Sequence, residues 1–449
     1  MIGAMAKKRQ NKKKKKKKST VRHTRAIQRD RSRRSIIAPP DEKIQQRLAG
    51  LLLPAIEAQK EFYKKLGLRN RLLPLSVMVA IVVSIIWRQL GSGGSEVSRL
   101  LRSEGLLWVS TLMVSQQAIS DRLSIFPPML FLRILRHILP VLHERWRARQ
   151  RPLPPVLGWA QERYTAVLAA DGSTLDALVR KVGLLRGCDK HPLAGKMMAV
   201  LDLCSWLPRV IWFEEDAQAS DQRFWPRILQ AVPVGALLIL DLGFTNFKMY
   251  AQMTTATFIT RAKSNLSFQV KKVYLRTSQV EDLLVWIGTG ADRQLVRLVK
   301  VRYRGRWYRY LTNELDPNVL PALYVAALYR QRWRIEDAYN VVKRLLGLAY
   351  FWNGSQYGVQ LQVWATWILY AVLVDLTDAV AEVLARPFVD ISIEMVYRSL
   401  YYFSQALRRG EASDPVAYLA ANATWLGIIK RPRKRSSFRL LNLTNPSGP

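Results

Sequence analysis

The sequence predicts an α/β protein in which a helical N-terminal region precedes a strand-containing core. Three observations lead there. From about 41 to 150 the apolar residues recur at helical spacing. From 156 onward short apolar runs alternate with helical stretches, the pattern of buried strands and covering helices. Residues 264–313 then alternate basic and apolar side chains (KKVYLR, RLVKVRYRGRWYRYL), which reads as an antiparallel β insertion into that alternation.

Taken in order, residues 1–40 form a basic arm with Lys12 to Lys18 unbroken. Such a block repels itself and buries nothing, so it is expected to be disordered. Residues 41–155 are expected to form an all-α N-terminal domain that binds DNA. Within it 42–65 is amphipathic, 72–90 is apolar, and GSGGS at 91–95 is a break. Residues 95–101 and 114–123 read as two helices, the second with Ser115 as its cap. They fit a helix-turn-helix as well as they fit an ordinary helical bundle, because the turn between them is poorly defined. A basic helix at 133–151 ends at RPLPP.

In 156–263 the strands are expected at 165–170, 197–206, 209–213, 237–240 and 257–261, with helices at 217–232 and 244–253. After the β insertion, helix resumes over 318–348, 361–384 and 393–408. The corresponding units are 314–384, a group of C-terminal helices at 385–429, and a basic tail at 430–449 containing KRPRKR.

Composition narrows the partner. The formal net charge is +37 over 449 residues. The first 34 residues hold 16 Lys and Arg against Asp30 alone, which leaves +22 for the remainder. A basic folded surface points to a polyanion, either nucleic acid or an anionic membrane. The longest apolar run, 72–87, is 16 residues interrupted by Pro74 and Ser76. A span needs about 18 to 20 apolar residues, so this run and 365–374 read as buried helices and no membrane partner is expected. No signal peptide is visible, and Cys188 and Cys204 have neither zinc-type nor CxxC spacing. A cytoplasmic, nucleoid-associated protein is expected.

The stretch that organises the chemistry is 329–343, YRQRWRIEDAYNVVK. On a helix at about 100° per residue, Tyr329, Arg332 and Lys343 fall within ~40° of Glu336. Ile335, Ala338, Val341, Val342, Leu345 and Leu346 form the opposite, apolar face. A lone acid therefore stands among phosphate-seeking groups. The same pattern would also suit a surface helix with i, i+4 charge neighbours.

Two apolar runs end in carboxylates: 165–170 in Asp171-Gly172-Ser173, and 237–240 in Asp241-Leu242-Gly243. Singly, each aspartate reads as a turn or cap residue. Together with Glu336 they offer three oxygen ligands, a set that favours Mg²⁺ or Mn²⁺ over zinc. Two such ions clamp the attacking and leaving oxygens of a phosphoryl transfer. Asp176, Asp202, Glu214, Glu215 and Asp337 compete for these roles. Asp202 reads as mid-strand, and Glu214 and Glu215 are the strongest rivals because they also end a strand.

The spacing from Tyr329 through Arg332 and Glu336 to Lys343 resembles the Y-R-E-K signature of DDE transposases of insertion sequences, the family numbered four among them. Asp171-Gly172-Ser173 and Asp241-Leu242-Gly243-Phe244 look like that family's first and second acidic motifs, and 258–263 (FITRAK) is similar to the strand after the second. The resemblance covers about 70 to 370. It implies a ribonuclease H-like catalytic core with a β insertion between the second aspartate and the glutamate. It also implies Asp171, Asp241 and Glu336 as the catalytic metal triad, holding two Mg²⁺ or Mn²⁺ ions. Tyr329, Arg332 and Lys343 would then grip phosphates. Arg261 and Lys263 would be further DNA contacts, or ordinary surface charges. Trp333 would stack on a base, or else be a core tryptophan. The implied protein is a DNA transposase that cleaves element ends and joins the 3′ hydroxyl to target DNA. Its partners would be double-stranded terminal inverted repeats and target DNA, with a homodimer in the active complex. The rivals are a ribonuclease H-like DNA nuclease and a transposase-derived DNA-binding protein without catalysis.

Overall fold

The structure is a computed structural model that describes residues 42–68, 71–90, 94–175, 194–348 and 351–431. The basic arm at 1–40, the tail from 432, Asp176 and Cys188 lie outside the described residues. The chain is an α/β protein with one large mixed sheet and helices.

Before the first strand the described residues form only helices. These are α1 (Glu42–Glu57), α2 (Lys60–Lys65), α3 (Leu75–Trp87), α4 (Gly94–Ser103), α5 (Gln116–Ile125), α6 (Met129–Ala148) and α7 (Pro155–Gln161). The apolar α3 is buried along nearly its whole length, as its composition predicted. Ser115 caps α5 as expected, accepting from the Ala118 N–H at 3.1 Å. The connection between α4 and α5 runs from 104 to 115 and includes Gly105 at φ +80°. A helix-turn-helix uses a turn of roughly three or four residues. The pair therefore packs as two bundle helices.

The strands are β1 (Val167–Thr174), β2 (Lys196–Asp202), β3 (Pro208–Glu214), β4 (Leu237–Leu240), β5 (Thr257–Arg261), β6 (Gln269–Arg276), β7 (Val280–Ile287), β8 (Gln294–Tyr303) and β9 (Arg306–Thr312). They form one nine-stranded sheet in the order β3-β2-β1-β4-β5-β9-β8-β7-β6. β1, β4 and β5 are mutually parallel, and every other pairing is antiparallel. The insertion is not a separate layer, because β9 pairs with β5 and extends the same sheet. Helix α8 (Trp225–Ala231) lies between β3 and β4, and α9 (Phe247–Gln252) between β4 and β5. The helix expected over 217–232 is thus shorter. Ser220 caps a single 3₁₀ turn at Asp221–Phe224 before α8 begins, which leaves 217–219 non-helical.

After the sheet come α10 (Ala322–Gln331), α11 (Trp333–Asn340), α12 (Gln356–Val383), α13 (Ile393–Arg408) and α14 (Pro415–Ala421). The segment expected as one helix over 329–343 is divided. It breaks at Arg332, where i→i−3 hydrogen bonds from Arg332 to Tyr329 and from Ile335 to Arg332 tighten the turn. It then ends in a π-helical turn at Val341–Leu345. Helix α12 packs against α3, α5, α6 and α14. It is long and apolar enough to cross a membrane, but 94% of its most apolar window is buried inside the fold. The core on this side joins α3, α6 and α10–α13 to one face of the sheet. The other face is covered by α8, α9 and the turns beside them.

Candidate active site

Strand periodicity explains how the carboxylates meet. Successive side chains on a strand point to opposite faces. Leu168, Ala170, Leu238 and Leu240 face α8 and α9. Val167, Ala169, Leu237 and Ile239 face the side carrying α10 and α11. Asp171 and Asp241 continue this second set by parity. They are also neighbours in register, because the β1–β4 pairing ends at Ala170 and Leu240. Asp171 is not the last residue of its strand, contrary to expectation. β1 continues against β2 to the pair Thr174 and Lys196. The aspartate therefore marks the point where β1 outruns β4, and its place in the strand alternation aims its carboxylate toward α11.

Arg332 stands among all three acids. Its Nη1 donates to Asp171 Oδ2 at 2.7 Å and lies 3.7 Å from Glu336 Oε1, while Nη2 lies 3.6 Å from Asp241 Oδ1. The guanidinium is buried, whereas the Asp241 and Glu336 side chains remain about 40% exposed. The Tyr329 hydroxyl donates to Asp241 Oδ1 at 3.1 Å. Tyr339, a residue that sequence reasoning did not single out, donates to the Asp171 carbonyl at 2.6 Å. Lys343 Nζ donates to the Thr174 carbonyl, at the far end of β1. The one-sided polar stripe of 329–343 is thus real, but it faces the strand ends rather than open solvent.

The electrostatics follow from this crowding. Burial raises the Asp171 carboxyl to about 7. The adjacent Arg332 works against that rise, and Glu336 and Asp241 add to it. Burial also works against the Arg332 charge, but Asp171, Asp241, Tyr329 and Glu336 together outweigh it and raise its pKa. Burial and the Asp241 charge raise the Tyr329 hydroxyl well above its usual range, so the phenol is a donor.

The donor set is oxygen only, and three carboxylates face a single guanidinium. That undercompensated charge suits a hard divalent cation. Among the described residues, however, no group of three or more His, Cys, Asp or Glu is gathered closely enough to hold one ion. The place between the acids is taken by Arg332. The residues fit the chemistry of Mg²⁺ or Mn²⁺ on the condition that this guanidinium moves aside.

The remaining candidates divide. Arg261 and Lys263 are exposed at the end of β5, the same end of the sheet as Asp241 because β4 and β5 are parallel. Arg261 lies 5.7 Å from the Tyr308 ring centroid, and Lys263 lines a 640 Å³ cleft with Phe247, Phe268, Trp286 and Arg293. Trp333 is 64% exposed and so is not a core tryptophan. Among the rival acids, Asp202 is the last residue of β2 rather than mid-strand, at the opposite end of the sheet from the cluster. Its Oδ1 accepts from the Cys204 and Ser205 N–H groups. Glu215 accepts from Gln356 and Gln360. Glu214 ends the edge strand β3 beside Lys196. Asp337 is exposed.

Comparison with known proteins gives three findings. Residues 184–368 match the family described as Transposase DDE domain, a segment containing Asp241 and Glu336 and beginning after Asp171. A protein of Sinorhizobium fredii (strain NBRC 101917 / NGR234) named "Putative transposase y4zB" is 30% identical over 191 residues, 40% of this chain and 52% of that protein. The chain thus spans about half the length of this relative. Among solved structures, the piggyBac transposase synaptic complex with hairpin DNA aligns over 91% of this chain and 88% of that chain, with 12% identity and a TM-score of 0.40.

Proposed function

We propose that the protein is a DNA transposase of the DDE type, specifically of the family with the Y-R-E-K signature. It cleaves the ends of its element and joins the resulting 3′ hydroxyl to target DNA. The observation that carries this reading is the meeting of Asp171, Asp241 and Glu336, from two parallel strands and a packed helix, around Arg332. The match of 184–368 to the Transposase DDE domain supports it. A ribonuclease H-like core is supported by the strand order β3-β2-β1-β4-β5 with β2 antiparallel to its neighbours.

In this reading the three carboxylates hold Mg²⁺ or Mn²⁺, two ions in the working site. When bound, these ions activate the attacking oxygen and neutralise the leaving one. The chain's own residues do the positioning. In the DNA-free protein Arg332 serves as counter-ion to the acids. On DNA binding its planar fork transfers to a backbone phosphate, which frees the carboxylates for the cations. Tyr329 keeps Asp241 oriented through its hydroxyl. Lys343 supplies a second cationic contact, Arg261 and Lys263 line the approach from the insertion side, and the exposed Trp333 on α11 stacks on a base. The substrates are the terminal inverted repeats and a target duplex, handled by a homodimer.

The test uses DNA carrying the element's own ends with Mg²⁺ or Mn²⁺. Asp171→Asn, Asp241→Asn and Glu336→Gln should each reduce cleavage by at least about 10²-fold, the scale of losing one electrostatic group from a preorganised site. End binding should persist in all three. Wild-type cleavage by any of them removes that residue from the triad. Cleavage by the wild type without strand joining would make the protein a nuclease instead.

A further inference from the structure

The segment 219–225, which leads from β3 into the start of α8, touches the residues that follow both aspartates, Gly172 within β1 and the turn after Asp241. On the β1 side, Lys196 Nζ lies 2.5 Å from Asp221 Oδ1 and donates to the Ala219 carbonyl at 2.7 Å. Lys196 is 91% buried and sits opposite Thr174 in the sheet. Gly172, directly after Asp171, has no left-handed backbone angle that would call for glycine. Space calls for it instead. A Cβ there would overlap the Asp221 carboxylate and come within 2.8 Å of Lys196 Cε. On the β4 side, Gln222 Nε2 donates to the Gly243 carbonyl at 2.5 Å, and Gln222 Oε1 accepts from Asn246 Nδ2 at 3.1 Å. Trp225 Nε1 donates to the Phe244 carbonyl at 3.2 Å. A Cβ on Gly243 would lie 3.6 Å from Asp221 Oδ2. One short segment is therefore wedged against Gly172 and fastened to the turn that begins at Asp241.

We propose that this segment is a strut that sets the separation of Asp171 and Asp241, with Asp221 and Gln222 as positioning residues of the site. The proposal rests on the reading of those two aspartates as cation ligands. The β1–β4 pairing stops at Ala170 and Leu240, so although Asp171 stays in register with Ala199 of β2, no ladder pairing joins Asp171 to Asp241. Asp221 and Gln222 supply that constraint from the side. Groups that orient ligands in this way typically change metal affinity by about 10- to 100-fold when removed. Neither residue touches the reacting atoms. Their effect is to hold two oxygen donors at the spacing a divalent cation accepts, about ±0.2 Å from ideal.

The test measures Mn²⁺ binding to the full-length protein on its element-end DNA, with the DNA alone as blank, by electron paramagnetic resonance, beside thermal melting, end binding and Mn²⁺-dependent cleavage. Asp221→Asn loosens the strut at Lys196, Gln222→Ala loosens it at Gly243, and Gly172→Ala pushes it out of place. Each should weaken Mn²⁺ binding by about tenfold or more with end binding retained, and cleavage lost at low Mn²⁺ should return at saturating Mn²⁺. A residue that only supports the fold would not give metal-concentration rescue. Wild-type Mn²⁺ affinity in all three variants overturns the proposal, as does a cleavage defect that no Mn²⁺ concentration relieves. Should Asp221→Asn fail to fold, Gln222→Ala carries the test, since it leaves the Lys196 pair in place. Absence of Mn²⁺ binding by the DNA-bound wild type beyond that of the DNA alone is a separate outcome, and it overturns the triad reading itself.

Discussion

Arg332 and Asp171 form a buried ion pair whose balance depends on pH. The Asp171 carboxyl is raised to about 7, above its value of 3.8 in an unfolded chain. Between these two values the folded protein binds more protons than the unfolded one. The contribution of this group to stability therefore falls as pH rises through that window, and the loss is complete above about 7. In the metal-free protein the melting temperature should decline from about pH 5 to pH 7.5. Asp171→Asn should flatten that decline, because an amide has no proton to lose. Scanning calorimetry on both proteins measures it, and an unchanged slope in the variant would refute the assignment. At this scale the sequence disclosed direction but not partners. Helical spacing put Tyr329, Arg332, Glu336 and Lys343 on one side. It could not disclose that Arg332 would reach three acids at once, because Asp171 lies 161 residues away. Asp221 and Gln222 were not legible at all, since an acid and an amide in a polar turn belong to no repeating pattern.

At the scale of elements, 237–240, 257–261 and 393–408 were read with the boundaries they have. Each is an apolar or amphipathic run closed by a charge or by residues suited to turns. The segment 329–343 was read as helix with the right buried face: Ile335, Ala338, Val342, Leu345 and Leu346 are all buried. The division at Arg332 was not legible, because the sequence there carries no glycine or proline to signal a break. Arg334 was also missed. It sits on the apolar side of α11, donates to the Leu203 carbonyl at 2.8 Å, and is lowered to about 10 by burial. A buried ionic link between elements lies where α6 and the residues after it meet α12. Arg149 Nη1 donates to Asp378 at 3.1 Å and Nη2 to Asp375 at 2.7 Å, and Arg151 also pairs with Asp378. The Asp378 side chain is 1% exposed. Asp378→Ala leaves two arginines without their shared partner and should destabilise the protein by about 3–5 kcal/mol, measured by urea unfolding. A change below about 1 kcal/mol would mean that solvent reaches the network and screens it.

Across the whole molecule, the chain order of helices, then strands, then helices does not translate into stacked layers. Helix α12 comes after the entire sheet, yet it packs against α3, α5 and α6, which come before it. Composition suggested the buried character of 365–374 but could not say what would bury it. Likewise the strand pattern of 264–313 was legible, whereas its attachment was not, because alternation reveals a face and never a neighbour.

That attachment has a metric consequence. β9 is hydrogen-bonded to β5, and β8, β7 and β6 follow in order, with register shifts in β6 between Val270 and Lys272 and between Val273 and Leu275. The insertion is therefore a ruler laid out from Asp241 in units of strand spacing. Five spacings separate β4 from β6, about 24 Å at 4.8 Å each. The exposed Lys271 and Lys272 stand at its outer mark. In the transposase reading proposed above, a duplex lying along the sheet from the carboxylates would meet those lysines about seven base pairs from the scissile phosphate, at about 3.4 Å per pair. Hydroxyl-radical footprinting of the bound end should show protection at that distance, and Lys271→Ala with Lys272→Ala should erase it while leaving protection at the cleavage site. Protection that vanishes at both places together would mean that the lysines anchor the duplex as a whole and do not read distance along it.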